Sequence, residues 1–86
     1  MTKKRLIELF KYNKDAKGSM SNEIITNIIT NIKNIKSGVC KNGVDYYLSV
    51  DLDSLSNSTI DDSIIYKMLE SGWKLSSDSK NLEVIY

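Results

Sequence analysis

The chain lacks histidine and proline altogether and has a single cysteine, Cys40, among its 86 residues. Without histidine the Ser-His and Cys-His arrangements of nucleophilic enzymes are excluded. One cysteine excludes an intrachain disulfide and the common zinc patterns, and the four scattered glycines form no phosphate-binding loop. We therefore expect a protein that is not an enzyme, uses no cofactor or metal, and keeps Cys40 as a small packed residue in a reducing cytoplasm.

Long apolar runs are also missing. The basic start of the chain, residues 3–5, resembles the charged region of a signal peptide, but the apolar stretch that follows is interrupted at Glu8 and ends by Lys11. Neither a secretory segment nor a membrane span is expected from this pattern, and no membrane partner. At this length the chain can build one core, so we expect a single domain over residues 1–86, with an N-terminal helix and linker over residues 1–18.

Charge is divided unequally along the chain. Residues 1–41 carry nine Lys/Arg and three acids, whereas residues 42–86 carry three Lys and eight acids. This polarity can steer a partner electrostatically, or it can let the two halves of the protein dock onto each other.

Two amphipathic helices are predicted in the N-terminal half. The first runs from Thr2 to about Asn13. The second starts at Ser19 or Ser21, and Gly38 is among its end signals. Its apolar stripe has the helical period and comprises Ile24, Ile25, Ile28, Ile29, Ile32 and Ile35.

The pattern then changes to alternation, which predicts a half-buried strand over residues 44–52. Asn42-Gly43 is a hairpin signal, so Val39–Lys41 is expected to form a short opposing strand. The apolar face of the main strand comprises Val44, Tyr46, Leu48, Val50 and Leu52.

The C-terminal part predicts a helix and a hairpin. Residues 53–58 are expected to form a loop, and Ser58 with Asp61 is typical of a capping box that opens a third helix. Gly72 ends this helix, and Trp73 is placed to fold back on its last turn. Residues 73–75 and 82–86 form the strands of a closing hairpin.

Together these elements predict an α+β fold: a three- or four-stranded, largely antiparallel sheet with two amphipathic helices on one face and a short N-terminal helix, in the order α-α-(β)-β-α-β-β. The other face of the sheet is mostly polar around the larger side chains of Tyr47 and Ile85, and its polar residues are Asp45, Asp51, Lys74 and Glu83. The side chains of Tyr47 and Ile85 are covered by the first helix, anchor a partner, or are simply exposed.

Two further surfaces are candidates for binding. The first is the solvent-facing side of the second helix, which is unusually uncharged. Asn27, Asn31 and Asn34 on this side are candidate partner-binding residues.

The second is a cluster of cations near the N-terminus, which is the alternative surface and would contact a nucleic acid. The isoelectric point near 7.8 is nevertheless below that of most DNA-binding domains. The cations concerned are Lys3, Lys4, Arg5, Lys11, Lys14 and Lys17.

Three aspartates, Asp51, Asp53 and Asp62, have the spacing of positions one, three and twelve of a calcium-binding loop. Leu55 and Ser56 stand where that loop needs a ligand and a glycine, so an EF-hand is rejected. Asp61 and Asp62 are better explained as acids at a helix start.

Three segments form a recognisable series: the strand VDYYLSVDL over residues 44–52, the segment MLESGWKL over residues 68–75, and the closing LEVIY over residues 82–86. With these segments, about half of the chain resembles a pattern found in small accessory proteins of phages and mobile elements of low-GC bacteria. The resemblance implies an accessory gene product of the kind that includes host-takeover factors and inhibitors of bacterial defence, in the cytoplasm of the bacterial host. It implies no functional residue.

We therefore expect a non-catalytic protein that binds a macromolecule, with a host protein as the first candidate, and that acts as an inhibitor or as a homodimer. The alternatives are a nucleic-acid-binding protein that uses the basic N-terminal segment, and a small structural or assembly subunit.

Overall fold

A computed structural model describes residues 1–13 and 21–85. The helices are α1 (Lys3–Phe10), α2 (Asn22–Asn31), α3 (Leu52–Ser56) and α4 (Asp62–Glu70), and the strands are β1 (Ile35–Val39), β2 (Tyr46–Asp51), β3 (Lys74–Leu75) and β4 (Asn81–Ile85). The strands form one sheet in the order β1-β2-β4-β3, with every neighbouring pair antiparallel. The predicted α+β class with an antiparallel sheet is confirmed.

All the helices pack on the same face of the sheet. Leu6 and Phe10 of α1 are completely buried in the cluster that contains Leu48 of β2 and Val84 of β4, so α1 lies with the other helices and does not cover Tyr47. The buried apolar residues are Leu6, Phe10, Ile24, Ile28, Ile32, Leu48, Val50, Leu52, Leu55, Ile60, Ile64, Ile65, Met68, Trp73, Leu82 and Val84. Removal of this apolar surface from water is the main stabilising contribution.

The second helix is shorter than the isoleucine stripe predicts. It ends at Asn31, and Ile32 already has extended backbone angles. Ile35 belongs to β1, where it lies opposite Val50, and Gly38 is a strand residue instead of a helix-end signal. The reason is that isoleucine is β-branched and fits a pleated strand well, so pairing with β2 wins over continuation of the helical period. Ile29 is 65% exposed, which leaves α2 with a narrow buried stripe.

The predicted loop over residues 53–58 is also wrong, because α3 occupies most of it. The carboxylate of Asp51 caps this helix by accepting hydrogen bonds from the N–H of Ser54 at 3.0 Å and from its hydroxyl at 3.1 Å. The capping box is a second error, since Asp61, not Ser58, is the N-cap of α4. Ser58 donates its hydroxyl to the Leu55 carbonyl at 2.7 Å instead.

The main strand is likewise shorter than the alternation predicts. Leu48 and Val50 face the core as expected, but Val44 precedes β2 and is 75% exposed, and Leu52 begins α3. The opposing strand β1 is longer than the predicted Val39–Lys41 and begins four residues earlier.

The end of α4 is as predicted. Gly72 has a φ of 92°, and the N–H of Trp73 donates to the Met68 carbonyl at 3.2 Å, which is the long hydrogen bond of a Schellman motif. This turn directs Trp73 into the core, where it is completely buried. The side-chain amide of Asn13 then donates to the carbonyls of Leu69 at 3.1 Å and Trp73 at 2.8 Å, which ties the end of α1 to this corner.

Replacement of Asn13 tests this tie. Asn13→Ala removes both hydrogen bonds and should cost roughly 1–3 kcal/mol. Asn13→Asp should cost more at neutral pH, because a carboxylate can only accept and would face two carbonyl oxygens. At neutral pH, urea unfolding should show wild type as the most stable protein and Asn13→Asp as the least stable. In acid the stabilities of the two variants should converge, because a protonated carboxyl can donate a hydrogen bond. Two variants as stable as wild type would contradict the tie.

A polar turn joins β3 to β4. The hydroxyl of Ser76 and the N–H of Lys80 donate to the carboxylate of Asp78, the latter at 3.0 Å. These bonds, with that of Ser76 the more important, lower the pKa of Asp78 below its ordinary value of 3.8.

Asp78→Ala should therefore destabilise the protein in a pH-dependent way. Because the pKa is lower in the folded state than in the unfolded state, the stabilisation is present above pH 3.8 and is lost as the pH falls through the folded value. Urea unfolding should show wild type more stable than the variant at neutral pH and the difference shrinking in strong acid. An equal difference at both pH values would contradict this role for Asp78.

Candidate functional site

The face of the sheet opposite the helices carries the candidate site. The strand register places Gly38, Tyr47 and Ile85 in one row across β1, β2 and β4. The neighbouring row places Lys74 of β3 directly opposite Glu83 of β4. Lys74 and Glu83 thus lie beside the Tyr47–Ile85 pair on the same face.

A shallow groove of about 160 Å³ lies on this open face. Tyr47 and Ile85 are half-buried within it although no helix among the described residues covers them. Cys40 reaches the same groove from the end of β1 as a half-buried free thiol. The lining residues are Cys40, Tyr47, Lys74, Glu83, Val84 and Ile85. The volume is smaller than the roughly 300–1,000 Å³ of typical small-molecule pockets.

Gly38 determines where the Tyr47 ring lies. A Cβ at position 38 would come within 2.9 Å of Cε1 of Tyr47 and 3.1 Å of its hydroxyl oxygen. Because Gly38 has no side chain, the phenol ring of Tyr47 can lie across the backbone of the edge strand β1. In this arrangement an aromatic ring covers a glycine that would otherwise be unprotected.

The three asparagines singled out from the sequence lie away from the open face. On α2, the side-chain N–H of Asn27 donates to the Glu23 carbonyl at 2.8 Å and that of Asn31 donates to the Asn27 carbonyl at 2.9 Å. The side-chain oxygen of Asn31 also accepts a hydrogen bond from the Thr59 hydroxyl at 3.0 Å. Asn34 donates to the Ser54 hydroxyl at 3.4 Å. Their carboxamide groups thus contribute to the fold, and the structure does not bring them together with Tyr47 and Ile85.

The basic N-terminal segment is partly engaged by the acidic half of the chain. Lys3 forms an ion pair with Asp53 at 3.2 Å, and the terminal amine of Met1 lies 3.9 Å from Asp62. Lys11 lies over the Tyr12 ring at 4.9 Å. Three other residues of α1, Lys4, Arg5 and Glu8, are exposed. Lys14 and Lys17 lie outside the described residues.

The aspartates that share the calcium-loop spacing have separate structural partners. Asp51 caps α3, while Asp53 and Asp62 each pair with a positive group. Within residues 1–13 and 21–85, no three His, Cys, Asp or Glu side chains are grouped so that they could hold a metal ion. None of the helices in the described part of the chain has the length and apolar character needed to cross a bilayer.

Comparison with protein-family models, curated proteins and solved structures finds no match to this chain.

The sequence places Tyr47, Ile85, Lys74 and Glu83 on one face of the sheet, but it does not place Gly38 and Cys40 there. Gly38 was assigned to a helix end and Cys40 to a packed position, so neither was placed beside Tyr47. A usable signal was present, because the alternation of β1 with β2 puts residues 36, 38 and 40 on the face of Tyr47 once the hairpin register is known.

Gly38→Ala should displace the Tyr47 ring. The added methyl group cannot share the space that Cε1 occupies, so we expect Tyr47 to swing outward and to be nitrated faster by tetranitromethane. Tyr66 on α4 is the internal control, since it lies on the helical side and is 42% exposed in any case. Peptide mapping by mass spectrometry gives both rates, and an unchanged rate at Tyr47 would contradict the close approach to Gly38.

Proposed function

We propose that this protein is a non-catalytic accessory protein of a phage or mobile element, and that it binds a host protein in the bacterial cytoplasm through the open face of its sheet. The observation that carries the proposal is the half-buried pair Tyr47 and Ile85, which occupies a groove on the face that the helices leave uncovered. An inhibitory role is the corresponding proposal for what this binding does.

The chemistry of the groove suits a protein surface better than a small substrate. Tyrosine presents a large apolar ring with a polar end, a combination that is enriched at interfaces. The volume of about 160 Å³ suits an inserted side chain. Lys74 and Glu83 at the margin could orient a partner that carries both signs of charge, since rim charges contribute mainly specificity.

Nucleic-acid binding is supported less well. Phosphate contacts need clustered cations that are not already neutralised. Lys3 is paired with Asp53, and Glu8 stands between Lys4 on α1 and Lys11, which directly follows this helix. Lys4, Arg5 and Lys11 therefore do not form a continuous basic stripe.

Paired substitutions test the proposed surface. Tagged protein should capture a host protein from the lysate of a low-GC bacterium, and the purified partner should then bind in calorimetry. Tyr47→Ser and Ile85→Ala should each weaken binding by about tenfold or more, because central aromatic and apolar anchors dominate interface energies. The matched controls are Tyr66→Ser and Ile29→Ala, which remove the same residue types from the helical side and should leave affinity almost unchanged.

Recovery of nucleic acid in place of protein, with affinity that falls steeply with salt and with neutralisation of Lys4 and Arg5, would overturn the proposal. Loss of binding in the control variants alone would place the interface on the helices.

A further inference from the structure

The outer edge of β1 is a second surface with defined chemistry. β1 is the terminal strand of the sheet, and among the described residues no strand pairs with its outer side. An edge strand presents unpaired N–H and C=O groups that can template another strand, and proteins usually block this with proline, charge or a bulge. β1 has no proline, and Lys36 is its only charged residue.

The alternation of hydrogen bonds between β1 and β2 shows which backbone groups of β1 face away from the sheet. The N–H of Cys40 donates to the Asp45 carbonyl at 2.7 Å, so these residues form a bonded pair. Bonded pairs alternate along an antiparallel ladder, and Gly38 and Lys36 therefore also point their backbone groups toward β2. The intervening residues point theirs away from β2.

The hydrogen bonds between β2 and β4 agree with this alternation. The N–H of Leu52 donates to the Lys80 carbonyl at 2.9 Å, which assigns the even-numbered residues of β2 to β4 and leaves the odd-numbered ones for β1. The outward-facing backbone groups of β1 are therefore those of Ile35, Ser37 and Val39.

We propose that β1 pairs antiparallel with β1 of a second copy about a two-fold axis at Ser37, which joins two sheets into one of eight strands. In this register Ser37 lies opposite its own copy and Ile35 opposite Val39 of the other chain. All three outward residues of each strand then form bonded pairs, whereas a register centred on Lys36 or Gly38 leaves Val39 or Ile35 without a partner inside the strand.

The side chains fit the same register. Lys36 lies opposite Gly38 of the other copy, so the two Lys36 ammonium groups do not face each other. Val39, which is 54% exposed in one chain, gains the apolar neighbour Ile35. The net charge of +1 per chain opposes association very little.

Pairing would also extend the candidate site. A two-fold axis perpendicular to an antiparallel sheet keeps the two open faces on the same side, so the dimer presents two grooves together. Because the Tyr47 ring lies across Gly38, the stem of Lys36 from the second copy would border that ring. The pairing stands independently of which partner, if any, the groove binds.

Engineered cysteines test the register. In a Cys40→Ser background, Ser37→Cys should form an intermolecular disulfide under mild oxidation, because bonded pairs have Cα atoms about 5.5 Å apart, within disulfide range. The matched control is Val39→Cys on the same edge. Its Cα would lie about 14 Å from its own copy at ~3.4 Å per residue, so it should stay uncrosslinked.

Light scattering on wild-type protein should show a mass that rises with concentration toward twice 9.8 kDa. Ser37→Pro should abolish this rise while keeping the native circular dichroism, because it removes an outward N–H that β2 does not use. A wild-type monomer up to near-millimolar concentration, or equal crosslinking at positions 37 and 39, would overturn the proposed pairing. Should the proline variant fail to fold, the cysteine pair still decides the register.

Discussion

A chain of 86 residues can build one hydrophobic core, and this limit determines how the two faces of the sheet are used. The buried side chains of the described helices, including Leu6 and Phe10 of α1, all pack against one face of the sheet. The corner at Trp73 holds the layer together, since the Schellman turn directs its indole inward and Asn13 ties α1 to the same place. On the opposite face, Tyr47 and Ile85 lie in a shallow groove that none of the described helices covers.

The uneven charge along the chain is partly explained by the fold. Lys3 pairs with Asp53 and the Met1 amine with Asp62, so positive groups of the basic half meet acids of the acidic half. The pair of Lys67 with Glu23 also joins the two halves, but with the charges reversed. Exposed pairs of this kind contribute little stability individually, typically ~0–1 kcal/mol. They also bear on nucleic-acid binding, because a lysine that is held by an aspartate of its own chain is less available to a phosphate.

The parts of the fold that local signals specify could be predicted from the sequence. The helix that ends at Gly72, the inward turn of Trp73 and the terminal hairpin depend on residues close together in the chain. The end of α2 could not be predicted, because an isoleucine such as Ile35 suits both a helical stripe and a strand, and pairing with Val50 across the sheet decided between them. α3 was missed because five residues are too few for a period to be recognised.

The candidate site was predictable only in part for the same reason. Tyr47 and Ile85 follow from alternation within single strands. Gly38 and Cys40 join them only when the register of the β1–β2 hairpin is known. A side chain that is absent, as at Gly38, leaves no signal in a pattern of apolar residues.

An NMR titration of isotope-labelled protein with its purified partner would locate the proposed interface most directly. The amide shifts should concentrate on the open face, at Tyr47, Glu83 and Ile85, while Ile29 and Tyr66 on the helical side stay in place. Shifts confined to the helical side, or to Lys4, Arg5 and Lys11 near the N-terminus, would contradict binding through the open face.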